Sequence, residues 1–194
     1  MLSSLQADSK TDEEIVPLVL QDQDNFLYLM RRYEEKLSRY IRRISGVSQE
    51  DVDDLLQEIF IKVYENLNGF DTSLKFSSWI YRIAHNQTIS NYRKVKSRPI
   101  TLSFDDDPAL ANKVSFNQDI IKELDRELDS QSIKKILAKM DEKYREVLIL
   151  KFIEEKDYTE ISDILQKPIG TVGALINRGK QQFKKIADKE KVDF

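Results

Sequence analysis

The chain has 194 residues, 34% of them charged and 40% hydrophobic, with a net charge of -3 and only 5 Gly and 4 Pro. That balance fits a soluble, helix-rich globule of one domain or two small ones. The absence of cysteine and the single His85 exclude a disulfide framework and any thiolate zinc site, and no apolar run approaches the roughly 20 residues of a membrane span.

Residues 1–22 are expected to form an N-terminal tail, frayed over residues 1–14, whose polar character offers no secretory signal. From Asp24 the series Phe26, Met30, Tyr33, Leu37, Tyr40, Ile41 and Ile44 follows helical spacing and stops at Gly46. Ser48 is placed to cap a second helix, with Asp51 in its first turn. The stripe Val52, Leu55, Leu56, Ile59, Phe60, Val63 and Leu67 runs to Asn68-Gly69. A third helix is expected from Ser77 to about Lys96. Residues 98–130, with Pro99, Asp105-Asp106-Asp107 and Pro108, look like a flexible acidic linker containing a short helix at 119–128. Helices follow at 132–140, at 141–155 with Asp141 as cap and Tyr144, Val147, Leu148, Leu150, Lys151 and Phe152 on or near the buried side, and at 158–165. Asp157 and Glu160 have capping-box spacing, and Pro168 sits where helices begin. The fold class is therefore all-α: two small helical domains, residues 23–97 and 131–188, joined by the linker.

Two segments depart from the acidic composition. Between Asp71 and Asp105 there is no acid, while Lys75, Arg82, Arg93, Lys94, Lys96 and Arg98 interleave with Phe76, Trp79, Tyr81, Tyr92 and Phe104. Cations neutralise phosphates and flat rings stack on unpaired bases, so this combination suits single-stranded nucleic acid; a solvated basic helix face is the plainer alternative. On a helical wheel Ile80, Ile83, Ala84 and Gln87 turn inward, leaving Arg82, Asn86 and Arg93 outside beside Tyr81, His85 and Tyr92. Trp79 reads as a core anchor rather than a base stacker. Between Asp163 and Asp188 acids are again absent. There a short helix, a turn and a longer helix form a helix-turn-helix pattern. Ile169, Val172, Ile176, Phe183 and Ile186 share its inner stripe with Gly179. The other side carries Ala174, Asn177, Arg178, Gln181, Lys184 and Lys185, a cationic face suited to the major groove.

Phe76-x-x-Trp79-Ile80-Tyr81-Arg82-Ile83-Ala84-x-Asn86, preceded by Asp54-Leu55-Leu56-Gln57-Glu58-Ile59-Phe60, resembles region two of the extracytoplasmic-function sigma factors of bacterial RNA polymerase. Tyr144-Arg145-Glu146-Val147-Leu148, Tyr158-x-Glu160-Ile161-x-x-Ile164-Leu165 and Pro168-Ile169-Gly170-Thr171-Val172 resemble their region four. The resemblance implies a sigma factor that brings core polymerase to promoters and assists DNA melting, with no catalysis, cofactor or metal. It implies that Asp54, Gln57 and Glu58 meet the clamp helices of the largest polymerase subunit. Lys75, Arg82, Asn86, Tyr92 and Arg93 would meet the minus-ten element, Asn86 holding a flipped base. An anti-sigma factor is an implied partner, and the cytoplasm the implied location, without membrane insertion. Where the family carries basic, small and basic residues after Gly-Thr-Val, this chain has Gly173, Ala174 and Leu175. Thr171, Asn177, Arg178, Gln181 and Lys184 are the expected minus-thirty-five contacts in their place.

Two other classes stand against this one. Asp51-Val52-Asp53-Asp54 matches the acid motif of some terpene cyclases, and Asp105–Asp107 offers a divalent-metal set. Acids at a helix start complement its dipole anyway, and no Gly-rich phosphate loop accompanies them. A stand-alone helix-turn-helix regulator would account for residues 158–186 but not for the aromatic and basic helix of the first domain.

Overall fold

The computed structural model describes residues 7, 9–97 and 131–190. Among them the regular elements are helices: α1 (Asp12–Gln21), α2 (Phe26–Ser45), α3 (Gln49–Asn66), α4 (Phe76–Ser97), α5 (Gln131–Ala138), α6 (Glu142–Leu148), α7 (Tyr158–Leu165) and α8 (Ile169–Glu190). The all-α expectation holds. Asp105–Asp107, the expected short helix at 119–128 and Arg98 lie outside the described residues.

The supposed tail is the first correction. Thr11 and Glu14 form a complete capping box, with the Thr11 N–H on Glu14 Oε2 at 2.8 Å and the Glu14 N–H on Thr11 Oγ1 at 3.3 Å. Behind this cap Ile15, Val16 and Val19 are buried in the first bundle. Glu13 reaches across to accept the backbone N–H of Phe76 at 2.8 Å. It thereby satisfies one of the orphan donors at the start of α4 and places a negative charge at the positive end of the helix dipole. Asp12 is held by Arg32 and the Tyr33 hydroxyl.

Helix α2 closes at Gly46, whose φ of 68° is left-handed and favours glycine. Ser48 caps α3 through the Asp51 N–H at 3.2 Å, as its sequence suggests. Helix α4 puts Phe76, Ile80 and Ala84, spaced four apart, into the bundle core. Phe76 is fully buried among the rings of Tyr33, Phe70 and Trp79, with centroids at 5.6, 5.4 and 5.6 Å. Truncating such a side chain to alanine costs about 3–5 kcal/mol.

In the second domain the single helix expected at 141–155 is interrupted. Helix α6 ends at Leu148 and Ile149–Ile153 widens into a π turn, the Glu154 N–H reaching back to Ile149 O at 3.0 Å. Phe152, expected near the buried side, is consequently 55% exposed. The Asp157–Glu160 capping box is complete, with Asp157 N–H on Glu160 Oε2 at 3.0 Å and Glu160 N–H on Asp157 Oδ1 at 2.8 Å. On α8 the inner stripe buries Val172, Ile176 and Gly179 and partly covers Phe183 and Ile186; Ile169 at its first turn stays exposed.

The two domains touch. Helix α7 lies along α4, and α6 meets α2. Tyr81 and His85, expected on the outer face, are 3% and 8% exposed, because the second domain covers them. Glu154 sits between Arg43 at 2.8 Å and the Tyr81 hydroxyl at 2.7 Å, both ends of the ion pair about nine-tenths buried. Arg145 Nη2 donates to Ile44 O at 3.2 Å. Tyr40 shares a hydrogen bond of 3.0 Å with His85 Nδ1, and His85 Nε2 stands 4.0 Å from Glu146.

Burial, reinforced by Lys167 and Arg93, lowers His85 from its usual 6.5 to about 4. Burial, with Glu142 nearby, raises Glu146 from 4.5 to about 7, against the pull of Arg145, Lys167 and Arg93. Between those two folded values the pair is therefore uncharged, and its 4.0 Å approach is not an ion pair. The folded chain binds an extra proton at Glu146 between pH 4.5 and 7, so stability falls as pH rises through that window. At His85 the unfolded chain binds the extra proton between pH 4 and 6.5, so stability rises with pH there. Where the windows overlap, the slopes oppose each other.

Urea unfolding across pH 4.5–6.5 should expose this balance. Relative to wild type, Glu146→Gln gives stability that rises with pH, and His85→Gln gives stability that falls; parallel profiles for all three proteins refute it. A second measurement concerns α8. A Cβ on Gly173 would meet only Tyr158 at 3.8 Å, whereas one on Gly179 would press on Leu148 Cγ and Cδ2 at 3.2 and 3.3 Å and on Tyr144 O at 3.4 Å. Gly173→Ala should therefore gain up to about 1 kcal/mol from helix propensity. Gly179→Ala should be at least about 1 kcal/mol less stable than Gly173→Ala, because overpacking offsets the same gain.

Candidate nucleic-acid interface

Beside the buried row of α4 runs a second row four apart, Arg82, Asn86 and Ser90. It forms one wall of an open cleft of about 340 Å³. Trp79, Ile83 and Gln87 continue that wall, and Lys62 and Asn66 of α3 form the other. Trp79 is wedged against Phe70 and Phe76, with centroids at 5.1 and 5.6 Å, yet remains half-buried, so it anchors the core and also lines the cleft. Lys62 contacts the Gln87 side chain, which in turn contacts Glu58. Asn66 donates to Lys62 O at 2.7 Å. The cleft thus offers two cations, two amides, a hydroxyl and an indole edge, at the small end of ligand-pocket volumes. Such a set suits one flat heterocycle on a phosphate chain: cations for phosphates, an amide for a base edge, a ring for its face.

The structure divides the expected minus-ten residues. Arg82 and Asn86 come together in the cleft. Tyr92 and Arg93 lie beyond it on the last turns of α4, Tyr92 half-buried and Arg93 exposed. Lys75 precedes the helix and is turned to the second domain, 3.4 Å from Asp157 and 3.7 Å from Glu160. The sequence did not single out Lys62 and Asn66, which belong to the cleft only because α3 packs beside α4. Gln87, expected inward, is part of the cleft wall.

Asp54, Gln57 and Glu58 are all exposed on α3, as expected. Ile61 continues their stripe and is 58% exposed, a large apolar side chain among acids that periodicity alone would have flagged as out of place. Glu58 connects this face to the cleft through Gln87. Of the acids in the alternative enzyme motif, Asp51 holds the Ser48 cap and Asp53 accepts from Gln49 Nε2 at 2.7 Å. On α8, Thr171, Asn177, Arg178, Gln181 and Lys184 are exposed opposite the buried stripe, so that helix presents the expected polar face. Behind it, Ile133, Leu137, Leu148, Phe152, Ile153, Lys180 and Phe183 line an apolar groove of about 310 Å³. No described helix is long and apolar enough to cross a membrane.

Comparison with known proteins agrees in order and extent. Residues 29–98 match Sigma-70 region 2, and residues 130–183 match Sigma-70 region 4. The ECF RNA polymerase sigma factor SigW of Bacillus subtilis is 35% identical over 172 residues, covering 84% of this chain and 89% of that protein. The ECF RNA polymerase sigma-E factor of Escherichia coli K12 is 32% identical over 181 residues, covering 88% and 91%. Among solved structures, CnrH in complex with the cytosolic domain of CnrY has the same fold, with a TM-score of 0.70 at 23% identity over 93% of this chain and 99% of that one. RpoE of Bartonella quintana, solved with the anti-sigma factor NepR, gives 0.62 at 21% identity over 88% and 99%. With both regions present in order and relatives alike over most of their length, this chain belongs to the ECF sigma factors of RNA polymerase, proteins of promoter-directed transcription initiation whose partners are core polymerase and promoter DNA.

Proposed function

We propose that the work of this sigma factor is divided among three surfaces. The outer face of α3, with Asp54, Gln57 and Glu58 around the exposed Ile61, docks on the clamp helices of the largest polymerase subunit. The cleft between α3 and α4 takes the unpaired strand of the minus-ten element, where Asn86 holds an extruded base, Trp79 walls it, and Arg82 and Lys62 neutralise adjacent phosphates. Lys75, Tyr92 and Arg93 extend that track on either side. Helix α8 enters the major groove at the minus-thirty-five element through Thr171, Asn177, Arg178, Gln181 and Lys184. The domains are residues 23–97, with α1 as part of their core, and 131–188, with 98–130 between them. The protein acts in the cytoplasm, and an anti-sigma factor restrains it, as NepR accompanies the Bartonella quintana protein. The observation that carries this assignment is the cleft itself, in which Asn86 and Arg82 share a cavity with an indole and with Lys62 of the neighbouring helix.

Asn86→Ala should lower open-complex formation by about tenfold or more, the value of a good base contact. It should act far less on a template whose minus-ten region is already mismatched. Permanganate footprinting of melted thymines on both templates makes the comparison; equal losses mean Asn86 supports the fold and reads nothing. For the polymerase face, Asp54→Lys with Glu58→Lys should reduce core affinity about tenfold or more by reversing charge across an interface. Stability should move only about 0.5 kcal/mol, as exposed substitutions do. Unchanged capture of core polymerase by the double variant excludes this face.

A further inference from the structure

The contacts between the two domains fall on the minus-ten track itself. Lys75 stands with its ammonium 3.4 Å from Asp157 and 3.7 Å from Glu160, and Ser77 Oγ donates to Glu160 at 3.3 Å. Both acids belong to the capping box of α7, the first helix of the helix-turn-helix. A carboxylate pair on an ammonium and a hydroxyl is the arrangement a backbone phosphate would make with the same groups. The exposed Lys75 pairs cannot hold two domains together, since such pairs contribute little. Glu154 can: it is buried, and it joins Arg43 of α2 to Tyr81 of α4. Tyr81 is further covered by Lys156, whose ammonium lies 4.6 Å from the ring centroid.

We propose that the free chain is self-inhibited, with Glu154 as the latch and the Asp157 and Glu160 carboxylates as an internal phosphate mimic that occupies Lys75 and Ser77 until core polymerase or DNA separates the domains. The idea rests on α4 binding the minus-ten strand as proposed above. The latch residues are well chosen for a contact that opens. In the closed arrangement Glu154 neutralises Arg43 away from water; once the domains part, both groups can be hydrated, and neither is needed inside its own domain. Removing the Glu154 charge therefore penalises the closed arrangement alone, and a ligand that binds only the open one gains apparent affinity by the same factor. The capping box can likewise be discharged without uncapping α7, because serine caps as well as aspartate and glutamine returns the same hydrogen bond as glutamate.

The test uses the full-length protein. Since the chain has no cysteine, Glu65→Cys and Lys189→Cys provide one dye site in each domain for energy transfer. Transfer should fall on adding core polymerase. In the absence of polymerase it should fall in Glu154→Gln. Affinity of the free protein for a labelled oligo(dT) strand should rise about tenfold in Glu154→Gln and in the Asp157→Ser, Glu160→Gln double variant, and the double variant should keep the wild-type helix content. Transfer that is the same in wild type and Glu154→Gln overturns the latch. A fall in transfer with no gain in strand binding by either variant overturns the mimicry. In that second case Lys75→Ala holoenzyme separates the causes: a loss of open complex leaves the minus-ten assignment standing and condemns only the competition, while no loss shows that Lys75 was never part of the track.

Discussion

One helix is shared among three neighbours, and the rest of the molecule is arranged around that demand. On α4, Phe76, Ile80 and Ala84 belong to the first bundle, Ser77, Tyr81 and His85 to the second domain, and Arg82, Asn86 and Ser90 to the open cleft. Each row advances by four residues, so the three run side by side along the axis. Their chemistry differs as their neighbours do: apolar, then polar-aromatic, then polar. Holding such a helix in register requires its start to be pinned, and Glu13 does this from α1.

The polar-aromatic row explains how the domains can touch without fusing. A large apolar interface between them would be permanent, whereas interfaces inside a chain that are built on polar groups permit relative motion. Here the buried groups are Tyr40, His85, Glu146, Arg145, Arg43 and Glu154. A buried ion pair is poor evidence of net stabilisation, because desolvation offsets its attraction, but it does specify one mutual orientation. The opposed titrations of His85 and Glu146 keep that orientation insensitive to acidity over the range in which both are uncharged.

Much of this was legible in the sequence, for identifiable reasons. The stripes of α2, α3 and α8 are long and strongly periodic, and caps such as Ser48 and Asp157 have local signatures that need no tertiary information. Arg82 and Asn86 emerged from a charge pattern at odds with the composition. Tyr81 and His85 were assigned to the outside because a wheel can say that a face is not the main core but cannot say that a second domain covers it. Lys62 and Asn66 carry no signal of their own, since their place in the cleft comes from helix packing. Thr11 and Glu14 did carry one, a capping box whose spacing was in plain view ahead of an apolar run. Phe152 and Glu154 could not be phased, because a π turn resets the periodicity on which the assignment depended.

That π turn has an evolutionary consequence. It amounts to one residue more than an α-helix would use over the same rise. Loss of a single codon within Ile149–Ile153 would let the segment wind as an ordinary helix, rotating whatever follows by about 100°. The core of the second domain up to Leu148 would be untouched, and so would the capping box that restarts the chain at Asp157. Only Glu154 would turn away from Arg43 and Tyr81. Relatives could thus gain or lose the coupling between their two domains by one small insertion or deletion, with the DNA-reading surfaces of both left as they are.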